Sequence, residues 1–509
     1  MNNNKIGTGV ITMKHKKNIF TGIIISFIAM ISLAIGLGIQ VNQVNASTVA
    51  EIKAKGEIVM GTSPDYPPYE FIATVDGKQK AIGMDISIGE RFAKDLGVKL
   101  VIKQMDFDSL LVGLETGKID FSISGLTPTN ERKKSADFSK VYYQADQYFV
   151  VNKNDKKLYK NFHSLAEKKI GVQTGSLQLK LAKEQMPQAK LTQMTKITDL
   201  ILALKSHKTD ALLMESTVAI AYAAHDDNLA YIKSGLVQGS DMEGTAIAFP
   251  KNSPELVAAA NKTIDQIHEK DSITKYLADA GDYLKPAAKK ENSWLIVAKY
   301  WKYFANGLGY TILVTVVSAI FGVVLGILFA LLRLVNSKFV NNIVKAIVEF
   351  IRGTPLMIQL MFVYFGLSKM LNVDISPLLA GFIAVSINSA AYVSEIIRGG
   401  INSVDAGQGE AARSLGLSKK EAMQSIILPQ AIKNIWPALG NEFISLIKET
   451  SIVSIIGVSD LIFQLRAVQA ATYQGIIPIV IAMLIYFIIT YGLSKLLNFY
   501  ERRMNHGNN

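Results

Sequence analysis

The stretch Glu410-Ala411-Ala412-Arg413-Ser414-Leu415-Gly416, followed ten residues later by Ile426-Ile427-Leu428-Pro429, lies between two apolar segments of a 509-residue chain. The alanine pair allows a short helix to approach a partner closely, and Gly416 can end that helix in a left-handed conformation. Ser418 to Glu421 has the Ser-x-x-Glu pattern of a capping box that starts a second helix. These features predict a short helix standing off the membrane that can transmit a rigid-body push.

Apolar segments in the second half of the chain predict an all-α membrane domain. Leu308 to Leu332 contains no charged residue and exceeds the ~20 residues that a helix needs to cross a bilayer. The further predicted spans are Lys345 to Met370, Pro377 to Ile397, Trp436 to Gly457 and Gly475 to Leu497. Within the first span, Gly322 and Gly326 form a small-residue pair that favours close helix packing.

Charges in the short loops predict the orientation of these five spans. Most Lys and Arg residues between the spans fall on one side of the membrane if Leu308 starts outside, and the opposite side carries only Lys369 and Arg466. Positive loops face the cytoplasm. The net charge of +12 is therefore interpreted as membrane topology. Since the basic residues form no aromatic-interleaved stripe, no nucleic-acid partner is expected.

The membrane segment resembles the permeases of ATP-binding-cassette importers, which carry E-A-A, a Gly four residues beyond the second Ala, and a later I-x-L-P at fixed offsets. The resemblance implies that the loop 410–429 docks on an ATPase through Glu410, Ala411, Ala412 and Gly416. No G-x-x-x-x-G-K-[ST] phosphate-binding loop occurs in the sequence, so the ATPase is expected to be a separate polypeptide. The resemblance also implies a homodimer of this chain.

The amino-terminal segment predicts export. Lys14, Lys16 and Lys17 precede an apolar run from Ile19 to Ile39, and Val44-Asn45-Ala46 resembles a cleavage site, so residues 1–46 are expected to be a signal peptide or a membrane anchor. The sequence contains no Cys, which excludes disulfides, a lipid-anchored Cys and Cys-ligated metals. The six His residues are scattered, and neither a metal nor another cofactor is expected.

Between Ser47 and Lys285, short β-rich runs alternate with amphipathic helices, as in an α/β fold. Strands are predicted at Glu57 to Gly61, Lys99 to Met105, Ile119 to Ser124, Lys169 to Gln173 and Ala211 to Met214, and helices at Met84 to Leu96 and Asp108 to Thr116. The repeated rhythm predicts two lobes. The chain then divides into a leader (1–46), a soluble module (47–285), a linker (286–307), a permease module (308–503) and a tail (504–509).

The soluble module resembles the type II periplasmic solute-binding proteins for polar amino acids. The resemblance is carried by Gly61-Thr62-Ser63-Pro64-Asp65-Tyr66-Pro67-Pro68-Tyr69-Glu70-Phe71, by Met105-Asp106-Phe107, by Gly117-Lys118-Ile119-Asp120, by Ser124 to Arg132 and by Asp137-Phe138-Ser139. It implies a two-lobed fold that captures an amino acid outside the cell. The implied binding residues are Ser63, Tyr66, Phe107, Ser124, Gly125, Thr127, Arg132, Gln173, Leu177 and Glu215.

The chemistry of an α-amino acid explains these residue types. Arg132 offers a planar pair of donors for the ligand carboxylate, and Thr127 and Thr129 are expected to begin a helix whose free N–H groups favour the same anion. The turn before Leu177 is expected to close from the second lobe. By resemblance, Glu215 takes the ammonium group, where relatives usually carry Asp.

Other positions are expected to surround the rest of the ligand. Tyr66 and Phe107 are expected to enclose its aliphatic stem, while Ser63 and Gln173 face its side chain. Because some relatives carry an Asp at the position of Ser63, its absence favours glutamine or glutamate. A basic amino acid such as arginine or histidine is the alternative.

Polar residues in the predicted spans are candidates for a membrane pathway, since charge is expensive at that depth. These are Asn388, Glu395, Glu442 and Glu449, and an interfacial or purely structural role is the alternative. A ligand-gated channel or receptor remains a second class, although membrane segments interrupt the binding domain in such receptors. A dehydratase-like enzyme is a third, but it would leave the permease-like loop without a role.

Overall fold

The structure is a computed structural model that describes residues 47–75, 78–239, 244–284, 295–333, 335, 337–371, 373–472 and 474–506. The expected signal peptide or anchor, residues 1–46, lies outside the described residues, as do residue 285 and residues 286–294 of the expected linker. The described chain forms a two-lobed α/β module followed by a helical membrane module.

Lobe one is built on a five-stranded sheet with the order β5-β1-β6-β13-β7, beside a three-stranded antiparallel sheet β2-β3-β4. Strands β1, β5 and β6 are parallel, and β13 is antiparallel to both of its neighbours. The bounds are β1 Glu57–Thr62, β2 Asp65–Tyr66, β3 Glu70–Val75, β4 Lys78–Ile82, β5 Lys99–Gln104, β6 Phe121–Ser122, β7 Ala136–Tyr143 and β13 Thr245–Pro250.

Lobe two is a second five-stranded sheet, with the order β10-β9-β11-β8-β12. Its strands are β8 Gln147–Asn152, β9 Lys169–Gln173, β10 Lys190–Met194, β11 Ala211–Glu215 and β12 Leu229–Lys233. The chain enters this lobe between β7 and β8 and returns between β12 and β13. Two crossings between separate sheets are the geometry that allows two lobes to close over a ligand.

Helices cover the two sheets of the binding module. They are α1 Val49–Lys55, α2 Met84–Leu96, α3 Leu110–Glu115, α4 Arg132–Ser135, α5 Leu177–Gln185, α6 Ile197–Lys205, α7 Ser216–His225, α8 Pro254–Glu269 and α9 Ser272–Tyr283. Helix α2 has the predicted bounds, and Ile88, Phe92 and Leu96 are buried on one face. The predicted strand Ile119 to Ser124 is shorter, because only Phe121 and Ser122 pair with neighbouring strands.

The membrane module contains the remaining helices. They are α10 Leu295–Arg333, α11 Lys338–Gly353, α12 Leu356–Leu371, α13 Pro377–Asn402, α14 Ala406–Ser414, α15 Lys419–Ala422, α16 Leu428–Glu449, α17 Leu461–Thr472 and α18 Ile476–His506. Three of these described helices are long and apolar enough to span a membrane, or five spans result if each bent pair of helices is one span.

The second and fourth predicted spans differ from the structure. Lys345 to Met370 was expected to be one helix, but α11 and α12 meet at an angle of 104°, because Pro355 disfavours helical backbone at Thr354. The fourth predicted span, Trp436 to Gly457, lies in helix α16, which ends at Glu449 rather than at Gly457. A 3₁₀ segment, Thr450–Ile456, follows, and then helix α17, which was not predicted. The first membrane helix begins at Leu295, inside the expected linker.

The predicted small-residue pair packs as expected. A β-carbon added at Gly322 would lie 2.9 Å from Cβ of Ser389, and one added at Gly326 would lie 2.6 Å from a methyl group of Val393. Both partners belong to α13, so the two glycines allow α10 and α13 to approach closely.

The binding module and the loop 410–429 lie at opposite ends of the membrane helices. Lys118 of lobe one forms an ion pair with Asp374, three residues before α13 begins. Helix α14 starts four residues after α13 ends. A 26-residue helix is about 39 Å long, so α13 separates the two regions by the thickness of a membrane.

Candidate functional site

A cavity of about 340 Å³ lies between the two lobes of the binding module. Of the residues expected to bind the ligand, it is lined by Ser63, Tyr66, Phe107, Ser124, Gly125, Gln173, Leu177 and Glu215. Thr127 and Arg132 lie beside the cavity rather than in its lining. The cavity is also lined by Glu70 and Gln178, which the sequence analysis did not single out.

Arg132 connects the two lobes at the edge of this cavity. Its Nη1 donates to Thr127 O in lobe one at 2.9 Å, and its Nη2 donates to Gly175 O in lobe two at 2.8 Å. The guanidinium carbon lies 5.5 Å from the centre of the Phe107 ring. Burial lowers the pKa of Arg132 to about 10, so the group stays cationic near neutral pH and can pair with a carboxylate.

The expectation that Thr127 and Thr129 begin a helix is wrong. Helix α4 begins at Arg132 and has four residues, because Pro128 pushes Thr127 out of the helical region. Thr129 Oγ1 accepts from the Arg132 backbone N–H at 3.3 Å. Any donation to a carboxylate here therefore comes from turn amides and the guanidinium, not from a helix dipole. On the other lobe, the Ser176 side chain caps α5, which begins at Leu177 as expected.

Glu215 occupies the end of β11, at the start of α7. Its backbone N–H donates to Tyr66 Oη at 3.2 Å, which links lobe two to lobe one. Burial raises the pKa of Glu215 to about 7. A contact with Tyr69 lowers this pKa by a smaller amount, and the charge of Asp85 raises it further. The carboxyl group is thus placed to accept from an ammonium group and titrates near neutral pH.

Glu70 is a second acidic group in the cavity. Ser124 Oγ donates to Glu70 Oε1 at 2.6 Å. Burial, together with the neighbouring charge of Asp85, raises the pKa of Glu70 well above its ordinary value. Within the described part of the chain, neither Glu70 Oε2 nor Glu215 Oε2 has a hydrogen-bond partner. Buried carboxylate oxygens of this kind require donors, and a ligand with nitrogen donors at two ends can supply them.

The carboxylate of Asp85 is already used inside the protein. It accepts from Tyr142 Oη at 2.8 Å and from the Gly125 backbone N–H at 2.8 Å, so it holds Gly125 against the cavity. Burial raises the pKa of Asp85 to about 6. Asp85 therefore positions the cavity wall and lies close enough to Glu70 to share a hydrogen bond with it, while Glu70 and Glu215 both line the cavity.

Ser63 and Gln173 form polar contacts at the side of the cavity. Ser63 Oγ donates to Asp65 Oδ1 at 3.2 Å, and Gln173 Nε2 donates to the Thr195 carbonyl at 3.1 Å. The second oxygen of Asp65 accepts from the Ile197 backbone N–H at 2.8 Å. Asp65 is therefore occupied by protein donors, and the acidic character of the cavity comes from Glu70 and Glu215.

The loop 410–429 has the predicted local structure. Helix α14 ends in a turn where Gly416 has a φ of +89°, and Ser418 and Glu421 form the reciprocal hydrogen bonds of a capping box. Ala412 is buried, whereas Glu410 and Ala411 are exposed. Leu415, beside the turn at Gly416, is 85% exposed.

The polar membrane residues do not form one group. Asn388 Nδ2 donates to Gln359 Oε1 at 3.3 Å. Glu395 forms ion pairs with Arg333, Arg352 and Arg398, which links α10, α11 and α13 and favours the structural alternative for this residue. Glu442 is half-buried and Glu449 is exposed on α16. The described residues contain no cluster of His, Asp or Glu suited to a metal ion.

Comparison with known proteins identifies both modules. Residues 58–279 match the family model of bacterial extracellular solute-binding proteins, family 3, and residues 322–506 match that of binding-protein-dependent transport system inner membrane components. The arginine transport system permease protein ArtQ of Bacillus subtilis is 44% identical over 202 residues, which cover 40% of this chain and 92% of that protein. A putative glutamine transport system permease protein GlnP of Rickettsia bellii is 40% identical, over 40% of this chain and 93% of that protein.

The binding module also has separate relatives. The arginine-binding extracellular protein ArtP of Bacillus subtilis is 35% identical over 226 residues, which cover 43% of this chain and 84% of that protein. A solved amino-acid transporter substrate-binding protein from Streptococcus pneumoniae, bound to L-arginine, is 38% identical and covers 46% of this chain and 98% of that chain, with a TM-score of 0.45. Both modules are transport modules, so the chain is not an enzyme. It belongs to the ATP-binding-cassette importers of polar amino acids, as a family 3 solute-binding domain fused to the permease domain of a multi-pass membrane protein.

Proposed function

We propose that this chain captures a basic amino acid, with arginine the favoured ligand, and imports it with ATP hydrolysed by a separate subunit. The observation that carries the choice of ligand is the pair of buried carboxyl groups, Glu70 and Glu215, in the lining of one cavity. Arg132 supplies the charge that an α-carboxylate needs. One acidic group then takes the α-ammonium group, and the other takes a cationic side chain.

The charge balance favours a cation over glutamine. With a neutral ligand the second carboxyl group would have to stay protonated, because an unpaired charge in a buried site is costly, whereas a cationic side chain allows it to ionise. The order expected from Ser63 alone is therefore reversed, because that expectation did not include Glu70. The relatives of the two modules include transport proteins for arginine and for glutamine, so the comparisons leave both ligands as candidates.

Glutamine is the second candidate, and the raised pKa of Glu70 favours it specifically. A protonated Glu70 is neutral, and its hydroxyl group can donate to the carbonyl of a side-chain amide. The two candidates therefore differ in the protonation state of one residue.

Glu70→Gln in the full-length chain distinguishes these ligands. Isothermal titration of the detergent-solubilised chain is expected to show arginine affinity falling about 100-fold in this variant, since a buried ion pair is lost, while glutamine affinity changes less than threefold. Glu90→Gln, on the exposed surface of α2, is the matched control and should bind as the wild type does. Tight glutamine binding with undetectable arginine binding in the wild type would refute the choice of arginine.

In the proposed transport cycle, the binding module acts at one end of the membrane module and the ATPase at the other. Ligand closes the lobes, the closed lobes remain against the loop after α12 and against α17, and an ATPase engages the exposed surface of α14 on the opposite side. The binding module is then extracellular and the coupling loop cytoplasmic, and two copies of the chain act with two ATPase subunits. Fusion raises the effective concentration of the binding module at its permease.

Uptake measurements test this cycle. Disrupting Glu410 and Gly416 together should abolish uptake of labelled arginine into cells that express the chain with its ATPase, while arginine binding is retained. Normal uptake by this double variant would contradict the coupling role of the loop.

A further inference from the structure

An ion pair crosses the cleft between the two lobes. Lys196 Nζ, just before α6 in lobe two, lies 2.9 Å from Asp106 Oδ1, just after β5 in lobe one, and the two side chains are only 12% and 9% exposed. Because the partners belong to different lobes, this contact depends on the closed arrangement. It therefore contributes to holding the lobes together.

This interlobe ion pair separates two cavities. On one side, Lys196 Nζ donates to Ser63 Oγ at 3.4 Å, and both Ser63 and Phe107 line the ligand cavity. On the other side lies a cavity of about 500 Å³ between the binding module and the permease, here called the junction cavity. Its lining includes Asp65, Asp106 and Lys196 of the lobes and Ser454, Phe463 and Arg466 of the permease.

The permease contributes a second cation to the lining of the junction cavity. Arg466, on α17, lines the junction cavity with Asp65 and Asp106, and its charge acts on Lys196 and Asp199 of lobe two. Two cations near the same carboxylates compete for them. The planar guanidinium also matches a carboxylate better than the ammonium group of Lys does.

The helix that carries Arg466 lies close to both lobes. Helix α17 packs against β3 of lobe one and α6 of lobe two. The 3₁₀ segment before α17 is followed by Gly457, where an added β-carbon would lie 2.6 Å from the carbonyl oxygen of Gln104. Gln104 lies two residues before Asp106. The permease therefore lies against the end of β5, which precedes Asp106, and against α6, which follows Lys196.

We propose that the captured amino acid leaves the cleft past the Lys196–Asp106 ion pair into the junction cavity, and that Arg466 is the permease residue that draws Asp106 away from Lys196. This proposal rests on the importer function proposed above. Without the permease, Lys196 pairs with Asp106 and helps to keep the lobes closed, together with the contacts that Arg132 and Tyr66 make across the cleft. In the docked chain, Arg466 competes for them and lowers the barrier to release. Arg466 is thus a positioning residue for transfer that acts through the interlobe ion pair.

Release kinetics of the full-length chain in lipid nanodiscs test this role. The chain is loaded with radiolabelled L-arginine, chased with an excess of unlabelled arginine, and the dissociation rate is measured by rapid filtration. We expect Arg466→Gln to slow release about tenfold and Arg466→Lys to restore at least half of the wild-type rate. Lys196→Gln should speed release, and adding Arg466→Gln to it should change the rate less than twofold, because the residue through which Arg466 acts is gone. Lys140→Gln, in an exposed pair with Asp265, is the control and should leave the rate unchanged.

The outcomes separate this proposal from the proposed function. Absence of both arginine and glutamine binding by the wild-type chain would overturn the importer assignment and this proposal with it. Normal arginine binding, combined with release rates that do not respond to Arg466→Gln, would overturn only the role of Arg466. The role of Arg466 would also be overturned if Arg466→Gln slowed release equally in the wild-type chain and in the Lys196→Gln chain. Arg466 would then act independently of the ion pair.

Discussion

Replacing Lys118 by Met is expected to weaken the docking of the binding module on the permease. The ammonium group of Lys118 donates to Asp374 Oδ1 at 2.9 Å and to the Ile375 carbonyl at 2.8 Å, and it lies 4.6 Å from the centre of the Tyr364 ring. The Lys118 side chain is only 2% exposed. One side chain of lobe one thus makes three kinds of contact with the permease.

The size of the effect follows from these contacts. The hydrogen bond from a charged group to a carbonyl contributes about 1.5–3 kcal/mol, and the contact with the aromatic ring adds about 1 kcal/mol. The ion pair contributes about 0.2–1 kcal/mol, because the Asp374 side chain is 67% exposed. Burying the ammonium group opposes all three, and this burial lowers the pKa of Lys118 despite the charge of Asp374. Met fills similar space without that cost, so the expected net loss is about 1.4 kcal/mol, or tenfold in the docking equilibrium.

A single cysteine can report this equilibrium, because the chain contains no natural one. Ser454 is 6% exposed and lines the junction cavity, so a Ser454→Cys thiol reacts with a bulky polymer-linked maleimide only after the modules separate. Lys118→Met should raise the labelling rate about tenfold. Lys103→Met is the control, since Lys103 lies 3.6 Å from the same Asp374 and is more exposed, and less than a threefold change is expected. Equal labelling of Lys118→Met and the wild type would refute the reasoning.

Three further predictions concern the ligand site, the coupling loop and the membrane helices. Burial raises the pKa of Glu215 to about 7, and an ammonium group prefers the carboxylate form. Arginine affinity measured by calorimetry should therefore fall about tenfold as the pH is lowered from 8 to 6. In Glu215→Gln the affinity should depend less on pH. Gly416→Ala forces a side chain into a φ of +89° at a cost of about 1 kcal/mol and should reduce uptake with binding intact, whereas Gly399→Ala, in an ordinary helical position with equal open space, should transport normally. Glu395→Gln removes the acidic partner of three arginines and should lower the thermal midpoint by several degrees, while Glu349→Gln in an exposed pair should not; an unchanged midpoint for Glu395→Gln would contradict the structural role of that residue.

Features that depend on residues a few positions apart could be predicted from the sequence. Helix α2, the capping box at Ser418 and the left-handed end of the coupling helix at Gly416 agree with prediction, because hydrophobic spacing and cap hydrogen bonds are local. The division into an α/β binding module and a helical permease module was predictable for the same reason, since charged and apolar residues are segregated along the chain. The quoted motifs also contained most of the residues that line the ligand cavity.

The tertiary structure alone decided which distant residues meet. Glu70 was part of a quoted motif, but its position in the cavity became apparent only when β3 placed it beside Ser124 and in the same lining as Glu215, and this changed the ligand that we propose. The docking of Lys118 on Asp374 and the packing of helix α17 against both lobes likewise depend on contacts between modules. Such contacts join residues that are tens to hundreds of positions apart, so their energies leave no local pattern in the sequence, whereas caps and periodic apolar faces do.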